Sequence, residues 1–433
     1  MRIQPLIIVL STGILGLLSI AAAASDWPQW RGPNRDGVWP ENGIVKEFEE
    51  DQLPLNWSVP IGPGYNGPTV AEGRVYVMDR QTQPTEIERV HCLDWETGKS
   101  IWSTSYEAVY KVDYDLGPRA SVTIDEGRAY ALGTMGNFHS YDTASGETLF
   151  AKDLQTEYEI DMPIWGIAAS PLIYKDSVIL MIGGADGACL ISLDKKTSEE
   201  RWRALDEKPS YSSPILIEQA GEPVLVAWTG ESLSGLNPDN GEVHWSHPFK
   251  PSRMVLNVAT PVFDANRVFV SAFYDGSLLL KLSPDTLTAE KVWRRKGINE
   301  RNTDSLHCII STPILEGDYI YGVDSYGELR CLEAATGDRI WEDLTAVSNV
   351  RWGNIHFVRN GDRWFMFNEH GELIIGKLSP DGFTEIDRTS VLNATSDPRY
   401  REGKVAWSHP AYAYKHIFAR NDDRIVCGSL AKE

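Results

Sequence analysis

The ten residues Leu93-Asp94-Trp95-Glu96-Thr97-Gly98-Lys99-Ser100-Ile101-Trp102 constrain this chain more than any other stretch, because variants of them return every 43 to 52 residues. The unit reads as the end of one strand, a tight turn and the start of the next. Asp94 and Thr97 can hydrogen-bond the bend through their side chains, and Gly98 supplies a backbone conformation that few other residues accept. Trp102 then anchors the following strand. Related copies start at Tyr141, Leu193, Leu236 and Leu332 and carry Phe150, Trp202, Trp245 and Trp341 at the anchor position. Looser copies start at Leu282 and Leu378 and end on Trp293 and Ile386. A period in the forties with four short strands per unit predicts a β-propeller.

Each unit parses into strands a to d from the axis outward. Strand a often follows a proline, as at Pro68, Pro171, Pro214, Pro261, Pro313 and Pro410, which suits an edge that needs no ladder donor. Eight a-b-c units can be counted, and the last, ending near Cys427, lacks a strand d. The orphan segment Leu55-Asn56-Trp57-Ser58-Val59 places Trp57 like Trp102. The fold class is therefore all-β: an eight-bladed β-propeller of four-stranded antiparallel blades, closed by pairing the N-terminal strand onto the last blade.

Arg2, the apolar run Leu6 to Ile20 and Ala21-Ala22-Ala23-Ala24 have the pattern of a signal peptide over residues 1–24. An exported mature chain, periplasmic or extracellular, is expected from about Ser25, with no membrane span. None of the five cysteines lies in that leader, so no lipid anchor is expected. Residues 25–54, opening on Asp26-Trp27-Pro28-Gln29-Trp30-Arg31-Gly32, are too rich in Pro and Gly for a strand and too aromatic for a disordered tail. They are expected to pack on the outside of the ring as a clasp, with residues 55–433 forming the propeller. The net charge of -20 argues against nucleic acid and anionic membrane as partners. Cys92, Cys189, Cys308, Cys331 and Cys427 are too scattered for a disulfide framework and read as buried strand residues.

The repeat resembles the PQQ-like repeat, with a consensus near Ala-x-Asp-x-x-Thr-Gly-x-x-x-Trp, which builds the propellers of quinoprotein dehydrogenases and of BamB-type outer-membrane assembly proteins. The Trp-Pro-Gln-Trp-Arg-Gly segment is similar to one at the mature N-terminus of many secreted bacterial members. The matching residues serve turns and packing, so the resemblance implies a fold more than an activity.

Function then rests on residues that differ between units at the entry to each strand a, where a propeller converges on its axis: Tyr65, Asn66, Arg119, Trp165, Tyr211, Asn257, His307, Arg351, Trp352, His356, Trp407 and His409. Aromatic planes with a few donors suit a small polar ligand or a protein segment at the channel mouth. Phosphate-loop, serine-elbow and zinc-protease signatures are missing, and acidic runs such as Asp113 and Asp115 read as turn residues. The expected function is a non-catalytic binding or scaffold protein without a cofactor. The alternative that the resemblance implies is a PQQ-dependent alcohol or sugar dehydrogenase with quinone and calcium on the axis, where Trp165 or Trp352 would stack the quinone. Against it, the adjacent cysteine pair of many such enzymes has no counterpart here.

Overall fold

The structure, a computed structural model, describes residues 25–432; the expected leader lies outside them. Eight four-stranded antiparallel sheets form the ring. The inner strands of blades 1 to 8 are Thr69–Ala71, Thr123–Asp125, Leu172–Tyr174, Ile215–Gln219, Val262–Asp264, Ile314–Glu316, Ile355–Asn360 and Ala411–Ala413. The outer strands of blades 1 to 7 are Ser100–Glu107, Thr148–Asp153, Glu200–Ala204, Val243–Pro248, Ala289–Arg295, Arg339–Asp343 and Gly382–Ser390. Blade 8 receives its outer strand from the other end of the chain: Leu55–Pro60 pairs antiparallel with Arg424–Ser429, with Trp57 opposite Cys427.

The repeated turn does three jobs at once. Asp94 Oδ1 accepts from the Thr97 backbone N–H at 2.9 Å and from the Thr97 hydroxyl at 2.6 Å, which closes the bend. Gly98 takes φ +67°, in the left-handed region. A Cβ at Gly98 would also lie 2.7 Å from the Trp57 ring of the preceding blade. Meanwhile the Trp57 indole donates to the Trp95 carbonyl at 2.8 Å, and Trp102, Trp202, Trp293 and Trp341 donate in the same way to Thr143, Pro238, Ala334 and Ser379 of their next blades. Trp245 instead donates to Gln219 of its own blade, whose amide reaches the Thr286 and Thr288 carbonyls of blade 5. The motif is thus a lock between blades. Where the anchor is Phe150, the next turn has Ser198 at φ +63° in place of the glycine.

Every outer strand is bulged: at Asn56, Ile101, Leu149, Arg201, His244, Val292 and Ile340, each immediately before its anchor, and in blade 7 at Ile386, the residue expected to be the anchor itself. Each bulge interrupts the free edge that a neighbouring molecule could extend. All five cysteines are buried and free. Cys92 and Cys427 lie in adjacent blades, yet they remain thiols, and burial pushes each up to about 12.

The Trp-rich segment corrects the expected position. Trp27 to Val38 runs across the axial channel and meets the inner strand of blade 7 through the bridge Val38 to Arg359; the later residues continue along blades 7 and 8, through the bridges Ile44 to Ala431 and Gln52 to Ser390. Trp27 exchanges two backbone hydrogen bonds with Val70 of blade 1, and the Pro28 carbonyl accepts from Ile124 of blade 2. Arg35 donates to the carbonyls of Ser170, Pro171 and Pro214 in blades 3 and 4, and Trp30 donates to Thr260 at 2.9 Å beside blade 5. Inner strands leave acceptors facing the channel with no ladder partner, and a guanidinium with five donors satisfies several together.

Candidate functional site

The connections between blades converge on one face of the ring and surround the channel mouth. Just inside that mouth is a chamber of about 160 Å³, walled by Tyr65, Arg119, Trp165, Tyr211, Trp352 and Trp407, with His356, His409 and Trp30 toward the N-terminal plug. Eight of the residues expected at this face therefore share one cavity. Asn66, Asn257, His307 and Arg351 do not line it. Asn66 donates to the Met78 and Pro118 carbonyls, Asn257 to the Thr229 carbonyl, and His307 Nδ1 lies 2.8 Å from the Phe273 carbonyl. Arg351 pairs with Glu300 at 3.1 Å and covers the Trp352 ring at 4.4 Å. These polar groups satisfy buried backbone or a neighbouring charge.

A residue not anticipated at the site occupies its entrance. Tyr114, in the connection between blades 1 and 2, is in edge contact with Trp165 at 5.9 Å and with Trp352 at 6.2 Å, and tilts against Trp407 at 6.2 Å. Its hydroxyl donates to the Arg399 carbonyl at 3.1 Å, and its backbone has φ +56°. Arg119 fastens the loop by donating to the carbonyls of Asp113, Tyr114 and Gly117. A local signal existed, an aromatic residue in a long connection, but nothing in the spacing says which way such a loop folds.

Charge in the chamber is sparse. Arg119 spends its donors on the loop carbonyls, and desolvation lowers its pKa. The His356 and His409 rings lie 4.8 Å apart; burial lowers His356 to about 4 and, with the neighbouring His356, takes His409 well below its usual value. Both imidazoles are neutral at pH 7. Outside Tyr114 the mouth opens into a vestibule of about 750 Å³ whose charged lining is mostly acidic: Asp113, Asp115, Asp397 and Asp422 against Lys111 and Arg399. Five exposed large apolar side chains also stand on connections of this face, namely Val109, Ile164, Ile298, Leu344 and Tyr400.

The chamber is a poor fit for quinone and calcium. No carboxylate lines it, and among the described residues no group of three or more His, Cys, Asp or Glu is placed to hold a metal. Calcium takes about six to eight oxygen ligands. The volume is also below the roughly 300 to 1,000 Å³ typical of pockets that enclose a drug-sized ligand.

The family model described as outer membrane protein assembly factor BamB matches residues 86–343. The outer membrane protein assembly factor BamB of Shewanella oneidensis is 25% identical over 236 residues, covering 52% of this chain and 57% of the relative, so the match spans little more than half of that protein. Among solved structures, BamB from Moraxella catarrhalis superposes with a TM-score of 0.58 at 13% identity, over 87% of this chain and 99% of that one. Quinohemoprotein alcohol dehydrogenase from Comamonas testosteroni gives 0.62 at 12%, over 96% and 82%. Likeness at that identity is a likeness of fold. The sequence match over more than half the chain carries the assignment: this chain belongs to the family described as outer membrane protein assembly factor BamB.

Proposed function

We propose that this protein is an exported, non-catalytic binding or scaffold propeller whose partner docks on the face of blade connections, centred on the axial chamber. The observation that carries the reading is an aromatic chamber that opens into a vestibule on that one face, with the exposed side chains Val109, Ile164, Ile298, Leu344 and Tyr400 on the surrounding connections. Grouped exposed apolar residues with a polar surround mark interaction surfaces. Family membership agrees, since the matched model is described as an assembly factor. The neutral histidines and the carbonyl-bound Arg119 offer neither a poised base nor a metal cage, which favours binding over the dehydrogenase alternative.

A photo-crosslinking residue placed at Val109, Ile164 or Tyr400 tests this in cells that make the protein, with Leu149 on the outer rim as control. Discrete adducts to one defined protein from the three face positions are expected. Adducts from Leu149 alone would move the interface to the rim. Quinone- and calcium-dependent dye reduction by the purified chain would replace the binding reading with the enzymatic one.

A further inference from the structure

We infer that the axial chamber accepts an aromatic side chain presented by an extended, basic segment of a partner, and that Tyr114 stands in for that side chain while the protein is free. This rests on the docking reading above and names what the site takes.

The walls are made for a flat apolar group. Trp165, Trp352 and Trp407 face inward from three separate blade connections, and the Trp352 and Trp407 rings are themselves 6.2 Å apart at 66°. Ring edges and faces presented at such angles suit a further aromatic ring. Tyr114 already makes those contacts from within the chain, so the geometry of an occupant is on display.

Although Arg119 fastens its carbonyl, Tyr114 does not have the surroundings of a permanent core residue. It is only half-buried, its backbone is in the left-handed region that a bulky residue seldom adopts, and its hydroxyl bonds a carbonyl of another exposed connection. It borders both the chamber and the vestibule, so its withdrawal joins the two. A chain entering through the vestibule then meets Asp113, Asp115, Asp397 and Asp422, which favour basic residues on either side of the inserted ring. A carboxylate-bearing ligand finds no counter-charge inside, because Arg119 is already committed to loop carbonyls.

An internal occupant lowers apparent affinity by the fraction of time the site is free, and removing it restores that factor. The full mature chain and its Tyr114→Ala variant are titrated with acetyl-Lys-Tyr-Lys-amide, following tryptophan fluorescence and heat. The variant is expected to bind about tenfold or more tighter than the parent. Acetyl-Lys-Ala-Lys-amide should not bind, acetyl-Glu-Tyr-Glu-amide should bind several-fold more weakly, and adding Trp165→Ala to the variant should abolish the gain. A folded Tyr114→Ala protein, matching the parent in circular dichroism and in Tm to within a few degrees, that binds no better would overturn the inference. So would equal binding of the alanine peptide, or a preference for tetramethylammonium over 4-methylphenol, which would make the site a cation cage. If Tyr114→Ala does misfold, 4-methylphenol added to Tyr114→Gly decides the matter: rescue of the fold supports a ring-shaped site and its failure rejects one. Face crosslinks without any gain in the variant would keep the docking face and reject the side-chain pocket. A gain without face crosslinks would keep the pocket and reject the partner reading.

Discussion

Gly146 lies against the indole of Trp102, so closely that a Cβ at residue 146 would come within 2.7 Å of the ring. The two residues belong to adjacent blades, and the Trp102 indole donates to the Thr143 carbonyl three residues before that glycine. Gly146 is thus needed twice, for its φ of +75° and for the space it leaves.

Those two requirements can be separated. Gly221 has φ +79° but open space around its missing side chain. Gly221→Ala is expected to cost about 1 to 2 kcal/mol, the left-handed backbone term alone. Gly146→Ala should cost about 2 to 5 kcal/mol, because overpacking against the indole adds roughly 1 to 3. Urea denaturation of both variants checks the difference, and equal losses would remove the indole from the account.

Removing residues 25–59 is expected to destabilise far beyond what its length suggests. It takes away the outer strand of blade 8, the Trp57 lock and the Arg35 contacts that satisfy channel carbonyls. Trp57→Ala alone should cost about 3 to 5 kcal/mol. A truncated chain melting within a degree or two of the chain from Ser25 would show that the ring does not depend on this closure.

Acid should weaken the fold through His356 before most carboxylates matter. An unfolded histidine takes a proton near pH 6.5, whereas the folded His356 resists it until about 4. Between those values the unfolded chain binds the extra proton, so this contribution is complete above pH 6.5 and declines as pH falls toward 4. The full shift corresponds to about 3 kcal/mol. Asp79, held below the usual carboxylate range despite its burial by His91 and Arg89, loses its contribution only below about pH 3.8. The buried Glu369, whose pKa burial raises, acts in the opposite sense. Comparing the parent with His356→Gln removes this contribution together with the part of the His409 depression that His356 causes, so Tm should fall less steeply from pH 7 to 4.5 in the variant.

The ring was legible because its constraints are local and repeat. Asp94, Thr97 and Gly98 define a turn within five residues, and Trp57 resembles Trp102 plainly enough to reveal the displaced strand. The path of Trp27 to Val38 was not legible, because the acceptors that attract Arg35 exist only once blades 3 and 4 stand side by side. At the mouth, residue type was enough to pick out Tyr65, Trp165, Tyr211, Trp352 and Trp407, which line one chamber. It misplaced Asn66, Asn257 and His307, since a buried amide or imidazole serves the nearest free backbone group, and that group is set by tertiary contact. Tyr114 escaped for the same reason.

The pairing of Trp57 with Cys427 also bears on how the protein comes to be. During synthesis the strand Leu55–Pro60 emerges before any blade, and its partner Arg424–Ser429 emerges only after the other seven blades. Pairing across so long a stretch of chain is slow, and it has no partial form. A ribosome that stops short, or a protease that trims the C-terminus, leaves an unpaired strand at one end and an open blade at the other. Such a fragment carries two sticky edges in place of a closed circle, and is marked for aggregation or removal. The closure of blade 8 therefore works as a test of continuity: only a chain that carries both Leu55–Pro60 and Arg424–Ser429 can become a ring.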